Sequence, residues 1–381
     1  MISMSCAVKT FLKIWVSNMY TEYRVNSFHD YIECVTQIGT SAKIESTMPP
    51  VLWSRGHRKA EWNLLPTLIR DVDLDQIYGK YGYSSKRAVE EEIRKQNYIA
   101  KNYHFLSKEP ASSLEWMEVM QHHGVKTRML DWSESMLHSL VFALECFFNE
   151  KEYRTNERLQ ASPCVWIVQP IEWNMKALEL LIQNTGLIDE CIDRLDGITF
   201  ADKVEIKDRI QYLKKNLDDY METKSAKHLK GIFNLSDIVG NIQAMDRSEL
   251  RYHLTKGELY YCIFFLLFYV YMYSKPVDVG EVLPFLIIES YHSVRIQAQK
   301  GAFAIFPYYN ETKMIKSAHN MKFYPDSMEN MDIANNCLHK ILLCDPDKIA
   351  FEVMNAGINI SWLYPEMPVV ANAIENRKII L

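Results

Sequence analysis

The chain has 381 residues, 48% of them apolar, and a formal net charge of −5. That length and apolar content suffice for a full hydrophobic core in one large domain or two. The slightly acidic balance excludes a surface built to coat nucleic acid, while leaving room for a local basic groove. Eight cysteines are scattered without a Cys-x-x-Cys pair, which argues against a zinc site or a disulfide framework and for reduced thiols.

In chain order, the first twenty residues are apolar but interrupted by Lys9 and Lys13. They lack the unbroken apolar core and small-residue cleavage site of a secretory leader, so the chain is expected to remain in the cytoplasm. Ser27 can cap a helix in which Phe28, Tyr31, Ile32 and Val35 recur at helical spacing, closed by Gly39-Thr40-Ser41. Val51 to Arg55 reads as a short strand that delivers Arg55 to a glycine turn at Gly56. An arginine there suits a phosphate or carboxylate, whose two oxygens match its planar fork; a structural ion pair is the plain alternative. Residues 86–107 and Leu114 to His122 read as amphipathic helices.

The stretch from Gln121 to Ala143, QHHGVKTRMLDWSESMLHSLVFA, is the most informative. A polar turn leads into a strand, then into an apolar helix that Ser133 or Ser135 can cap. Leu137, Leu140, Val141, Leu144 and Phe148 share one face of that helix and belong to the core. Asp131 stands between Leu130 and Trp132, and a carboxylate in such company is costly unless paired or hydrogen-bonded. His122 and His123 are not spaced as metal ligands on one helix face, so no metal is expected and one of them serves the turn.

Val165 to Val168 reads as a buried strand closed by Pro170. Residues 174–280 look nearly all helical, with acids and bases alternating over Asp202 to Lys230 on a solvated face. Lys224, Lys227, His228 and Lys230 form a modest basic cluster, read as loop surface. Leu259 to Tyr273 is the most apolar run, 15 residues with five tyrosines. It falls short of the ~20 residues that span a bilayer, so a buried helix is expected and no membrane span. Phe285 to Ile288 and Ala302 to Phe306 read as strands with Arg295, Gln297 and Gln299 between them. Ile349 to Val353 is read as the last strand, with Gly357 opening a closing helical region. The fold class expected is α+β: a mixed, largely antiparallel sheet flanked by helices, with a helical insertion.

These residues resemble the FRG domain family. Its hallmark run of the form QHHGxxTRxLDWS stands at Gln121 to Ser133, followed by a small-residue helix. Trp53-Ser54-Arg55-Gly56-His57 occupies the place of the eponymous Phe-Arg-Gly, followed by Trp62, Leu65, Pro66 and Arg70. Arg295, Gln299-Lys300-Gly301-Ala302-Phe303, Gly357-Ile358 and Leu363-Tyr364-Pro365 continue the pattern. The resemblance implies an N-terminal helical region over 1–50 and an FRG domain in two parts, 51–173 and 281–381. The helical insertion occupies 174–280, and the strands flanking it are expected to be neighbours in one sheet.

No Gly-x-Gly-x-x-Gly follows a strand, and neither a Walker loop nor a Gly-x-Ser-x-Gly elbow is present. The order of motifs is similar, at a distance, to that of ADP-ribosyltransferases. There an arginine at the end of a first strand holds NAD. A Ser-Thr-Ser strand before a small-residue helix positions the nicotinamide ribose, and a Glu-x-Glu or Gln-x-Glu segment near a later strand directs transfer. The likeness implies an ADP-ribosyltransferase-like sheet, with Arg55 and Gly56 at the NAD pyrophosphate and Thr127, Arg128 and Ser133 also binding NAD, Thr127 or Ser133 at ribose hydroxyls. Asp131, Gln299 and Arg55 are implied as the catalytic set. Gln299 stands where glutamate is expected and cannot act as a base, so either Asp131 (or, second, Glu289) supplies the carboxylate or the site binds NAD without transferring well.

The function so implied is an NAD-dependent ADP-ribosyltransferase, a toxin or antiviral-defence effector with NAD as substrate. RNA, single-stranded DNA or protein is the acceptor, and an antitoxin or chaperone a further partner. Nucleic acid is favoured because Trp53, Trp62, Trp132, Tyr308 and Tyr309 lie near the motifs and can stack bases; ordinary core packing is the plain alternative for each. Two other readings stay open: a non-catalytic nucleotide- or partner-binding module, and an effector whose Leu259 to Tyr273 helix disturbs membranes.

Overall fold

The computed structural model describes residues 20–41, 51–70, 94–99, 101, 110, 112–148, 160–193, 199–223, 252, 266–267, 270–271, 282–288, 294–307, 327–358 and 360–364. Glu289, Tyr308, Tyr309, the cluster from Lys224 to Lys230 and most of Leu259 to Tyr273 lie outside these residues, as does most of 86–107. In chain order the elements are β1 (Thr21–Val25), α1 (Phe28–Ser41), β2 (Trp53–His57), α2 (Ser113–His122), β3 (Met129–Ser133) and α3 (Met136–Ala143). They continue with β4 (Cys164–Val168), α4 (Pro170–Gln183), α5 (Thr185–Asp193), α6 (Phe200–Thr223), β5 (Phe285–Ile288), α7 (Val294–Gln299), β6 (Gly301–Ile305), β7 (Leu338–Leu343) and α8 (Pro346–Asn355).

The seven strands form one mixed sheet in the order β1-β7-β4-β2-β3-β6-β5. Among the described residues only strands β1 and β7 pair in parallel; the other five strand pairings are antiparallel. The fold is α+β, and helices cover both faces. On one face Val165, Ile167, Ile341 and Leu343 pack with residues of α1, α3 and α8. On the other, Trp53, Trp132, Trp166 and Val168 share a cluster with residues of α4, α5 and α6.

Local chemistry places the helix starts. Ser27 Oγ accepts the Asp30 amide at 3.1 Å, Ser112 the Glu115 amide at 3.2 Å, and Ser135 the His138 amide at 3.4 Å. Each relieves one amide that the first helical turn leaves unpaired. Pro170 and Pro346 occupy first-turn positions of α4 and α8, where no amide donor is needed.

Three expectations are corrected. Ile349 to Val353 is not a strand but part of α8; Ile349, Ala350 and Val353 are buried at helical spacing while Phe351 is 61% exposed. The last strand is β7, whose buried His339 and Lys340 mask its pattern. Lys340 is held inside by donating to the Ala60 carbonyl at 2.7 Å and by lying 4.8 Å from the Trp166 ring centroid. The strands flanking 174–280, β4 and β5, share the sheet but are separated by β2, β3 and β6. The link between them is made by α4: the Asn174 side chain donates to Leu286 O at 2.7 Å and accepts the Leu286 amide at 2.8 Å. An amide side chain thereby satisfies part of the exposed edge of β5.

The third correction concerns Gly56, which lies inside β2 and not in a turn. A Cβ there would fall 2.0 Å from the Ser139 carbonyl oxygen and 2.7 Å from the Ala143 amide nitrogen. Glycine lets the backbone of α3 rest directly on β2. Gly56→Ala is therefore expected to destabilise the fold by about 3 kcal/mol, since backbone cannot yield as a side chain does. A denaturant midpoint unchanged in that variant would contradict the contact.

The described residues from 174–280 do not form a separate core. Ile188, Ile206, Ile210, Leu266, Leu267 and Val270 are buried in the same cluster as Trp53, Trp166 and Phe285. Among the described residues no helix is long and apolar enough to cross a membrane.

Candidate functional site

The sheet is weakest at its middle. β2 and β3 share a single register pair, Ser54 with Ser133, whereas each has five pairs with its other neighbour. Beside this break, on the α3 face, lies a cleft of about 240 Å³. Gly56 and Phe142 bound it from β2 and α3, Asp131 and Trp132 from β3, and Gln299 and Phe303 from the β6 side.

Arg55 bridges the break. Its side chain is 17% exposed, and its Nη1 donates to the Asp131 main-chain oxygen at 2.6 Å and stands 3.6 Å from Asp131 Oδ2. Its Nε donates to His57 Nε2 at 2.9 Å. Residues two apart on a strand share a face, which brings His57 and Arg55 together. Since His57 accepts at Nε2, the ring proton of the neutral imidazole sits on Nδ1. His57 is 2% exposed; burial, then the neighbouring cations Arg55, Arg70 and Lys340, push its pKa well below the usual 6.5. Burial likewise draws the Arg55 pKa down, opposed by the Asp131 carboxylate, and the guanidinium stays charged. Two of its three nitrogens are thus committed, and among the described residues Nη2 has no hydrogen-bond partner.

Asp131 is half-exposed, with 52% of its side chain accessible. Gln121 Nε2 donates to both carboxylate oxygens at 3.1 Å, and Thr127 Oγ1 donates to Gln121 Oε1 at 2.6 Å. Next to it in β3, Trp132 is 3% exposed and its indole N–H has no partner among the described residues. Trp132 borders the cleft as a residue of β3, while its ring packs in the cluster with Trp53 and Trp166.

The other expected residues divide. Ser133 lines the cleft, but its hydroxyl proton goes to Gln299 O at 2.7 Å and its oxygen accepts the Ser135 amide at 3.0 Å. Gln299 also lines it; its amide Nε2 donates to the Leu363 carbonyl at 2.9 Å, leaving Oε1 as an acceptor. The turn after Gln299 uses Lys300 at φ 47°, a left-handed backbone that a non-glycine residue rarely takes. The Lys300 carbonyl accepts the Glu134 amide at 2.9 Å, tying this turn to the end of β3.

Thr127 and Arg128 stand outside the cleft, against expectation. Thr127 is buried and serves Gln121, and it also accepts the Met129 amide at 3.2 Å. Arg128 is 2% exposed; it donates to the Phe306 carbonyl at 2.9 Å and to the Tyr271 carbonyl. A buried guanidinium spent on main-chain oxygens is a structural staple. Trp53 is 1% exposed and unable to stack a base, while half-buried Trp62 packs edge-on to His57. Of the two histidines after Gln121, His122 lines the cleft and His123 serves the turn, its Nδ1 lying 3.0 Å from Val119 O. No cluster of three potential metal ligands occurs among the described residues.

Reading by residue type missed His57, Gln121, Phe142 and Phe303. Strand periodicity from Arg55 finds the first, and the position of Gln121 at the end of α2, ten residues before Asp131, marks the second. Phe303 follows only from the register that sets it opposite Asp131. Neither the curated proteins nor the solved structures contain a match to this chain. The family model of the FRG domain does match, over residues 51–152; Gln299 and the later motifs lie beyond the matched span. Arg55, the Gln121 turn, the Asp131 strand and helix α3 all fall within residues 51–152, the part of this chain that matches the FRG domain.

Proposed function

We propose that the cleft binds NAD, breaks its nicotinamide–ribose bond and transfers ADP-ribose to an acceptor. On this reading the chain is a cytoplasmic ADP-ribosyltransferase that acts as a toxin or antiviral-defence effector. The observation that carries it is an adjacency: β2 with Arg55, β3 with Asp131, and β6 preceded by Gln299 are consecutive in the sheet. Residues distant in the chain, in the order the transferase likeness implies, thereby surround one cleft.

The lining suits such a substrate. Arg55 Nη2 offers a donor to phosphate or ribose oxygens, and Gln299 Oε1 offers an acceptor. Phe142 and Phe303 present flat apolar walls to a nicotinamide ring. At about 240 Å³ the cleft suits the nicotinamide and its ribose better than the entire dinucleotide.

In the step itself the C1′–N bond of NAD breaks and its electron pair leaves with nicotinamide. The positive charge left on the ribose lies where the Asp131 carboxylate can stabilise it. An acceptor oxygen or nitrogen then bonds to C1′ and surrenders its proton to Asp131. Atoms and charge balance without a metal or a redox partner.

A second reading, a nucleotide-binding module that does not transfer, is favoured by Gln299 itself. It brings no carboxylate, and its amide is tied to Leu363. With Trp53 buried, the aromatic argument for a nucleic-acid acceptor weakens, and RNA, single-stranded DNA and protein stand together. Incubation with NAD labelled in its adenylate, against separate pools of the three, is expected to label one pool. Retention of NAD by the protein with no pool labelled would favour the binding module instead.

A further inference from the structure

From Asp131 at the cleft a polar chain runs into the buried interior through Gln121 and Thr127. The Met129 amide donates to Thr127 Oγ1 at 3.2 Å, Thr127 Oγ1 donates to Gln121 Oε1 at 2.6 Å, and Gln121 Nε2 donates to Asp131 Oδ1 and Oδ2 at 3.1 Å each. Every link has a fixed direction. The main-chain amide can only donate, so it uses a lone pair of the threonine oxygen and leaves the hydroxyl proton for Gln121. Receiving that proton identifies the Gln121 atom as the carbonyl oxygen and turns the NH₂ group towards Asp131.

We propose that Gln121 is a positioning residue for Asp131, and that Thr127 sets its orientation. Asp131 needs such a device because its side chain is half-exposed, and the Arg55 contact at 3.6 Å is too long to be a hydrogen bond. An ion pair so open to water contributes little orientation of its own. Gln121 holds the carboxylate through both oxygens, and the Arg55 guanidinium flanks Oδ2. Oδ1 is left with a lone pair beside the cleft. Thr127 thus acts two contacts away from the carboxylate, from a site that is wholly buried.

The role of Asp131 in turnover rests on the NAD reading above, but the hydrogen-bond chain does not. Two readouts separate them. The first is the exchange of the Gln121 side-chain amide protons with water, followed by nitrogen-15 NMR on the full chain without ligand. Slow exchange is expected in the wild type, fast exchange in Thr127→Val, and slow exchange again in Thr127→Ser, which keeps the donor. Fast exchange in the wild type, or no change in Thr127→Val, would overturn the proposal whether or not NAD is consumed.

The second readout is kinetic. Gln121→Ala is expected to lower kcat at least ~10-fold with KM for NAD within about twofold, the pattern of a lost positioning contact. Thr127→Val should lower kcat in the same way, and Thr127→Ser should recover most of it. The double variant should be no slower than Gln121→Ala, because both changes break one chain. Additive losses, or a KM that rises in step with the loss, would show that the two residues act separately or bind substrate, and would overturn the assignment. A wild type that consumes no NAD, with Gln121 amide exchange slow and dependent on Thr127, would sink the transferase reading and leave the positioning of Asp131 standing.

Discussion

Arg55→Ala is expected to abolish NAD turnover, a loss of at least ~10²-fold, while the melting temperature falls by only a few degrees. The small thermal effect follows from what the side chain touches. Its removal orphans the His57 Nε2 acceptor and the Asp131 carbonyl, which sits at a break that water can reach. The large catalytic effect follows from geometry. Arg55 spans the gap between β2 and β3, meets His57 through Nε and Asp131 through Nη1, and lines the cleft. Arg55→Lys should fail as well, because one ammonium cannot serve all three directions. Full turnover in the lysine variant, measured as nicotinamide released, would remove Arg55 from the site.

Asp131→Asn should leave NAD binding, followed by calorimetry, within a few-fold of the wild type while lowering turnover at least ~10²-fold. The substitution keeps the shape of the side chain and one acceptor for Gln121. On the proposed transferase reading it removes the charge that would stabilise the developing ribosyl cation and the base that would take the acceptor proton. Gln299→Ala should differ in kind, weakening binding and turnover together, because Gln299 offers the cleft an acceptor and no base. Wild-type turnover in Asp131→Asn would place the carboxylate elsewhere.

What the sequence disclosed and what it hid have physical reasons. The strand and helix around Asp131 were legible because their cues agree: a serine cap, an apolar helical stripe and a short β-prone run. α8 was misread because Ile349, Phe351 and Val353 alternate like a strand. The competing helical spacing of Ile349, Ala350 and Val353 is the one that is buried. β7 was hidden by His339 and Lys340, polar residues that stay inside because the packing around them supplies partners. Gly56 advertised a special backbone position, but a turn and a close helix contact make the same demand for glycine. Strand order was out of reach, since only the long-range register places β6 beside β3 and exiles β5 to the edge.

Residue type and order single out Arg55, Asp131 and Gln299, and all three line one cleft. Thr127 and Arg128 read as ligand contacts because residues that hydrogen-bond within the protein are of the same types as those that touch a ligand. Their hydrogen bonds, to Gln121 and to the Phe306 and Tyr271 carbonyls, commit them within the protein, which a linear pattern cannot distinguish.

The most direct test is the release of nicotinamide from NAD labelled in that ring by the purified full chain, with and without the acceptor pools. Release matched one for one by ADP-ribose, free or attached to an acceptor, and lost in both Arg55→Ala and Asp131→Asn, is the expected result. No release under any condition, together with no heat of NAD binding by calorimetry, would contradict the assignment of this cleft to NAD.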